Sequence, residues 1–111
     1  MGGSGDEIPA QALSRFAAAE ARLYPMALTD PVGYQLATTL VGLVADELRR
    51  STVDVATVVD RRAELVDLVP RLAQEAGLDA SGIPAEAVVD AGSALRCREL
   101  GGIGSGAFEG A

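Results

Sequence analysis

Three acidic residues recur at helical spacing in the middle of the chain. Asp60, Glu64 and Asp67 stand at positions i, i+4 and i+7, so a helix would carry all three carboxylates along one face. Carboxylate oxygens are the ligands that hard cations prefer. Nearby arginines, Arg61 and Arg62 among them, can neutralise these acids. We therefore interpret the stripe as a solvated acidic face and predict no metal site.

The single cysteine is the only candidate nucleophile with a distinctive setting. Cys97 lies between Arg96 and Arg98, whose charges would lower a thiol pKa if all three shared one side of a helix. Adjacent helical residues point about 100° apart, and the chain contains no histidine to act as a base. We predict a buried or idle cysteine, with a redox-responsive thiol as the alternative, and we predict no cofactor and no enzymatic activity. One unpaired cysteine also fits a reducing, cytoplasmic environment.

Arginines supply all nine basic residues of the chain. Six of them could converge into an anion site if the helix ends meet in the fold. They are Arg49, Arg50, Arg61, Arg62, Arg96 and Arg98. The favoured interpretation is that these arginines lie near helix ends and pair with nearby acids such as Glu47 and Glu64.

Five residues are candidates for contact with a partner. Tyr24 and Tyr34 bracket the turn at residues 25–31, where they either mark a partner-facing corner or cover the core. Leu43 makes the middle of its helix apolar nearly all round, which indicates central burial or an oligomer seam. Ile103 and Phe108 are isolated hydrophobes in a glycine-rich tail, which predicts either a docking peptide or a frayed end.

The charge of the chain excludes several partner classes. Sixteen acids against nine arginines give a net charge of −7, which disfavours binding to nucleic acid and to anionic membrane surfaces. The longest apolar stretch, residues 36–45, is about half the length that a bilayer crossing needs. Residues 1–7 lack the features of a secretory signal, so we expect a cytoplasmic protein. Arginine without lysine fits a GC-rich bacterial genome.

Apolar residues recur at helical spacing through the chain and predict four principal helices. Asp30 followed by Pro31 is the clearest helix start. Ser51 and Asp54 resemble a capping box for the third helix, and Pro70 is expected to break or kink that helix near Val69. The predicted spans are residues 9–24, 31–50, 51–76 and 84–100, with the second helix central and a short segment at residues 26–28.

These elements predict an all-α bundle of four to five helices formed by residues 8–100. Residues 1–7 and the glycine-rich tail at 101–111 are expected to be flexible. We expect a non-enzymatic protein interaction module, an adaptor or accessory subunit, that presents an acidic helical surface to a protein partner and could form a homodimer. The alternatives are a carrier of a small apolar ligand between helices and an acidic regulator of a basic partner.

Overall fold

The computed structural model describes residues 8–101, and within them the chain forms a bundle of helices without a strand. The predicted all-α class is confirmed, with five helices longer than one turn and a single-turn helix, α2. Residues 1–7 and 102–111, which include nearly all of the predicted tail, lie outside the described residues. The helices are α1 Ala10–Leu23, α2 Met26–Thr29, α3 Pro31–Ser51, α4 Val55–Asp60, α5 Arg62–Glu75 and α6 Ala85–Glu99.

The longest helix, α3, begins where the local sequence predicts. Asp30 is its N-cap and accepts a 3.0 Å hydrogen bond from the backbone N–H of Gly33, while Pro31 occupies the first turn. The helix ends at Ser51, whose hydroxyl donates to the carbonyl of Glu47. The predicted capping box from Ser51 to Asp54 is therefore wrong, because Ser51 closes α3 instead of opening the next helix.

The third predicted helix is divided at a different place from the one expected. Asp54 alone caps the short helix α4 by accepting a 2.8 Å hydrogen bond from the N–H of Thr57. Arg61 then leaves helical geometry, with φ −84° and ψ 4°, and α5 starts at Arg62. The expected break near Val69 is absent, because α5 continues through Pro70. Pro70 is exposed, and on that side water can hydrogen bond to the carbonyl of Val66 that the proline leaves without a donor.

The centre of the bundle is α6, which corrects the prediction that the second predicted helix, α3, is central. Helix α6 packs against α1, α3, α4 and α5, most extensively against α3 and α1. Small side chains make this possible. A Cβ built on Gly92 would lie 2.7 Å from Cγ1 of Val44 and 3.2 Å from the carbonyl oxygen of Val41. The glycine therefore allows close approach of α3.

The core consists of aliphatic side chains drawn from all the longer helices, including Leu40, Leu48, Leu65 and Val88. Phe16 of α1 is the only aromatic residue of this buried set among residues 8–101. Within the same residues, no helix combines the length and the apolar character that crossing a bilayer requires.

Candidate interaction surface

Large apolar side chains are exposed mainly in one short stretch of the chain, residues 24–32. Tyr24 is 60% exposed, Leu28 89% and Val32 78%, and all three belong to the connection from α1 through α2 into α3. Tyr34 follows on α3 and is half-buried. We call Tyr24, Leu28, Val32 and Tyr34 the apolar corner. Val53, in the connection between α3 and α4, is the other exposed large hydrophobic residue in the described part of the chain.

Pro25 determines the backbone path through the first half of the apolar corner, which contains Tyr24 and Leu28. Helix α1 ends at Leu23, and Pro25 has no N–H with which to continue its hydrogen bonds. Tyr24 and Pro25 nevertheless keep right-handed helical angles, and the N–H of Leu28 bonds to the carbonyl of Pro25. Leu28 therefore follows Tyr24 by about one helical turn, while its own side chain stays in solvent.

The N-cap of α3 sets the backbone conformation of the second half of the apolar corner, which contains Val32 and Tyr34. Asp30 has non-helical backbone angles, with φ −152° and ψ 74°, and its carboxylate lies directly over Gly33. A Cβ on Gly33 would come within 2.8 Å of Cγ of Asp30. The glycine lets the cap close, and the cap fixes the direction in which α3 presents Val32 and Tyr34.

A hollow of about 170 Å³ opens beside the corner between α1, α3 and α6. Both tyrosines line it, together with Leu23, Val41 and Leu95. Glu20 and Arg98 stand at this hollow and form a 2.9 Å ion pair with each other. A second, open depression of about 380 Å³ shares Tyr34 and extends to Val32. The structure thus brings Tyr24 and Tyr34 to one hollow.

Leu28 and Val32 belong to the corner, although the sequence reasoning singled out only its tyrosines. A signal for them exists in the distribution of charge. Residues 24–45 contain a single charged residue, Asp30, and its carboxylate is occupied as the α3 cap. In a chain with 23% charged residues, such a gap indicates a segment that is either buried or in contact with a partner. Burial accounts for the second half of the gap, where Ala37, Leu40 and Val44 belong to the core. It does not account for the first half, because Leu28 and Val32 are highly exposed.

The other three candidate contact residues lie elsewhere. Leu43 is half-buried and packs against the main core cluster, so its side chain takes part in the internal packing of the bundle. Ile103 and Phe108 lie outside the described residues.

The acidic stripe does not form a metal centre in the described part of the chain. Glu64 is paired with Arg61 at 3.0 Å, and Asp60 belongs to α4 whereas Glu64 and Asp67 belong to α5. The hydrogen bond from Arg61 lowers the pKa of Glu64. No cluster of potential metal ligands is present among residues 8–101.

The six arginines considered for an anion site are instead divided among separate ion pairs. Arg49 donates to Glu99 with an Nε to Oε1 distance of 2.9 Å, which raises the pKa of Arg49 and lowers that of Glu99. Arg96 donates 2.6 Å from its Nη2 to the carbonyl of Thr52 and ties α6 to the connection after α3. The remaining pairs are Arg50 with Glu47, Arg61 with Glu64, Arg62 with Asp90 and Arg98 with Glu20.

Cys97 is fully buried among the core side chains of α6. Burial raises the pKa of its thiol to about 11, and the charges of Arg96 and Arg98 offset only part of that effect. The thiol is therefore protonated at neutral pH, which makes it a poor nucleophile.

Comparison with known proteins found no similar protein. No protein family model matches the sequence, and neither a curated protein nor a solved structure shows significant similarity.

Proposed function

We propose that this protein is a non-enzymatic interaction module, an adaptor or accessory subunit, whose apolar corner binds a short apolar segment of a partner protein. The observation that carries the proposal is the exposure of Tyr24, Leu28 and Val32 on a stretch of chain almost without charge. These three residues lie within nine positions of one another in the sequence, and exposed apolar side chains that are grouped in this way are typical of binding surfaces.

The composition of the corner agrees with the chemistry of protein interfaces. The buried centres of interfaces are depleted in charge and enriched in tyrosine. A tyrosine presents a large apolar face and one hydroxyl, so a partner side chain entering the hollow can bury against Tyr24 and Tyr34 while both hydroxyls stay accessible to water. Residues that anchor an interface insert into such hollows.

The size and charge of the corner indicate the kind of partner. Three exposed side chains offer roughly a few hundred Å², well below the ~800 Å² per partner of a stable interface between folded domains. A short helix or extended peptide fits this area better than a second copy of the chain. Since the net charge of −7 lies almost entirely outside residues 24–45, we expect the partner to carry arginine or lysine beside its apolar residues.

A matched pair of substitutions tests the proposal. Leu28→Asp places a charge on the corner, and Val53→Asp places the same charge on the other exposed large hydrophobic residue of the described chain. Both side chains are more than 80% exposed, so both variants keep the fold. In affinity capture from extract of the source cells, we expect Leu28→Asp to lower recovery of the specific partner at least tenfold, because a buried charge at an interface is costly. Val53→Asp should recover it as the unchanged protein does.

Equal recovery of the partner by the two variants, or loss of the partner in both, would contradict the proposal.

The alternative functions predict different outcomes. A capture that Leu28→Asp does not affect but moderate salt abolishes would favour an acidic regulator of a basic partner. A bound small molecule in native mass spectra would favour the carrier of an apolar ligand, and a dimer mass by light scattering would favour a second copy as the occupant.

A further inference from the structure

A cavity of about 220 Å³ lies on the side of the bundle where α1, α5 and α6 meet. It shares no lining residue with the hollow of the apolar corner. Three arginines line it: Arg15 and Arg22 from α1, and Arg62 from α5. We call it the arginine cavity.

The spacing of residues on α1 creates the space. Arg15 and Arg22 are seven residues apart, which puts them on the same face of a helix about 10 Å apart along its axis. Ala18 and Ala19 lie between them, and Ala87 of α6 lies opposite. Their methyl groups leave the room between the two arginines unfilled.

Asp90, the buried acid of the cavity, is hydrogen bonded to only one of the three arginines. Asp90 has an 8% exposed side chain and receives two hydrogen bonds from Arg62, at 2.8 Å from Nε and 3.2 Å from Nη2. This bonding to Asp90 and, more weakly, the charge of Glu86 raise the pKa of Arg62. Both oxygens of the Asp90 carboxylate are thus engaged by one guanidinium fork.

Arg15 and Arg22 are left without comparable partners among residues 8–101. The Nε of Arg15 is 4.0 Å from Asp90 Oδ1, too far for a hydrogen bond, and it is enclosed without any acceptor. Arg22 has no carboxylate within 4.0 Å in the described chain. Three positive and two negative side chains therefore line this cavity, whereas the whole chain has a net charge of −7.

We propose that the arginine cavity binds a small dianion, with Arg15 and Arg22 donating hydrogen bonds to its phosphate or carboxylate oxygens. Guanidinium groups donate in a planar fork that matches both kinds of oxyanion. Arg62 stays bonded to Asp90 and adds positive charge at the wall. The alanine side chains on the floor of the cavity give van der Waals contact to a compact ligand.

Nuclear magnetic resonance titration of the full chain tests the site. The probes are inorganic phosphate and succinate, each compared with sodium chloride at equal ionic strength. We expect saturable shifts of the amide signals of Ala18, Ala19 and Ala87 with at least one probe and none with chloride. Saturation by phosphate assigns a phosphorylated ligand, and saturation by succinate assigns a dicarboxylate.

Two variants that each remove one arginine charge distinguish binding of the anion at the cavity from its general attraction to positive charge on the protein. Arg22→Gln should weaken binding of the saturating probe about tenfold, since charge-assisted hydrogen bonds are lost. Arg71→Gln is the control, because Arg71 is an exposed arginine outside the cavity that also has no carboxylate within 4.0 Å among the described residues. It should leave the affinity within about twofold. Shifts that stay linear with both probes, or equal weakening by both variants, would overturn the proposal.

Discussion

At the scale of single residues, the chemistry of this chain is defined by the partners that each charged or polar group finds. The flanking arginines suggest an activated Cys97, but the fold buries the thiol completely and leaves Arg96 bonded to the carbonyl of Thr52. Neighbours in sequence were therefore a poor guide to the pKa of the thiol. Its burial was predictable because an unpaired cysteine is among the residue types most often buried, whereas the absence of histidine predicted only that the thiol lacks a base.

The raised pKa of Cys97 predicts a loss of stability in alkali. The thiol ionises near pH 9 in the unfolded chain and near 11 in the folded protein. Between these values the unfolded state binds fewer protons, so the free energy of unfolding falls as the pH rises. We expect a loss of about 1 kcal/mol from this group between pH 8 and pH 10.

Urea denaturation at the two pH values measures this loss, and Cys97→Ala provides the control. The variant should lack this component of the pH dependence, although its free energy of unfolding is lower at both pH values because the buried sulfur is lost. An identical pH dependence for the variant and the unchanged protein would show that the thiol is accessible to water in the folded state.

At the scale of elements, local signals located the start of α3 and the end of α5, but not the division of the third predicted helix at Arg61 or its continuity at Pro70. The start of α3 was predictable because Asp30 and Pro31 act within one turn. The end of α5 is similarly local: Gly77, with φ +74°, lets Leu78 bond back to the carbonyl of Ala73. The continuation of α5 through Pro70 was not predictable, since it depends on Val69 and Ala73 being buried against the bundle.

Two glycines inside helices of the bundle predict opposite effects of one substitution. A Cβ on Gly92 of α6 would press on Val44, whereas a Cβ on Gly42 of α3 meets nothing within 4 Å. Gly92→Ala should lower the free energy of unfolding by about 1–3 kcal/mol through overpacking. Gly42→Ala should raise it by about 0.5–1 kcal/mol through helix propensity. Denaturant unfolding of the two variants checks the prediction, and equal effects would contradict the central place of α6.

At the scale of the whole molecule, the bundle buries its aliphatic faces around α6 and leaves one uncharged corner outside. The sequence left open whether Leu43 is buried centrally or lies at an oligomer seam, and in the structure this side chain packs against the core. The two tyrosines were identified from their position around the turn. Leu28 and Val32 were not, because exposure is a property of the assembled bundle and a periodic pattern cannot distinguish an outward-facing leucine from a core one.

The apolar corner and the arginine cavity have no residue in common. An experiment that contradicts one of the two proposals therefore leaves the other unaffected. A small dianion at the cavity would contact Arg15 and Arg22 of α1, and a partner peptide at the corner would contact Tyr24, which directly follows α1.

The most direct test of the central claim is photo-crosslinking in the source cells, with a photoreactive amino acid placed at Leu28 in one variant and at Val53 in a second. Both positions are exposed to a similar extent, so they sample solvent equally. The proposed function predicts one discrete crosslinked protein from position 28 and none of that mass from position 53. The absence of a crosslink from position 28, or the same crosslinked species from both positions, would contradict it.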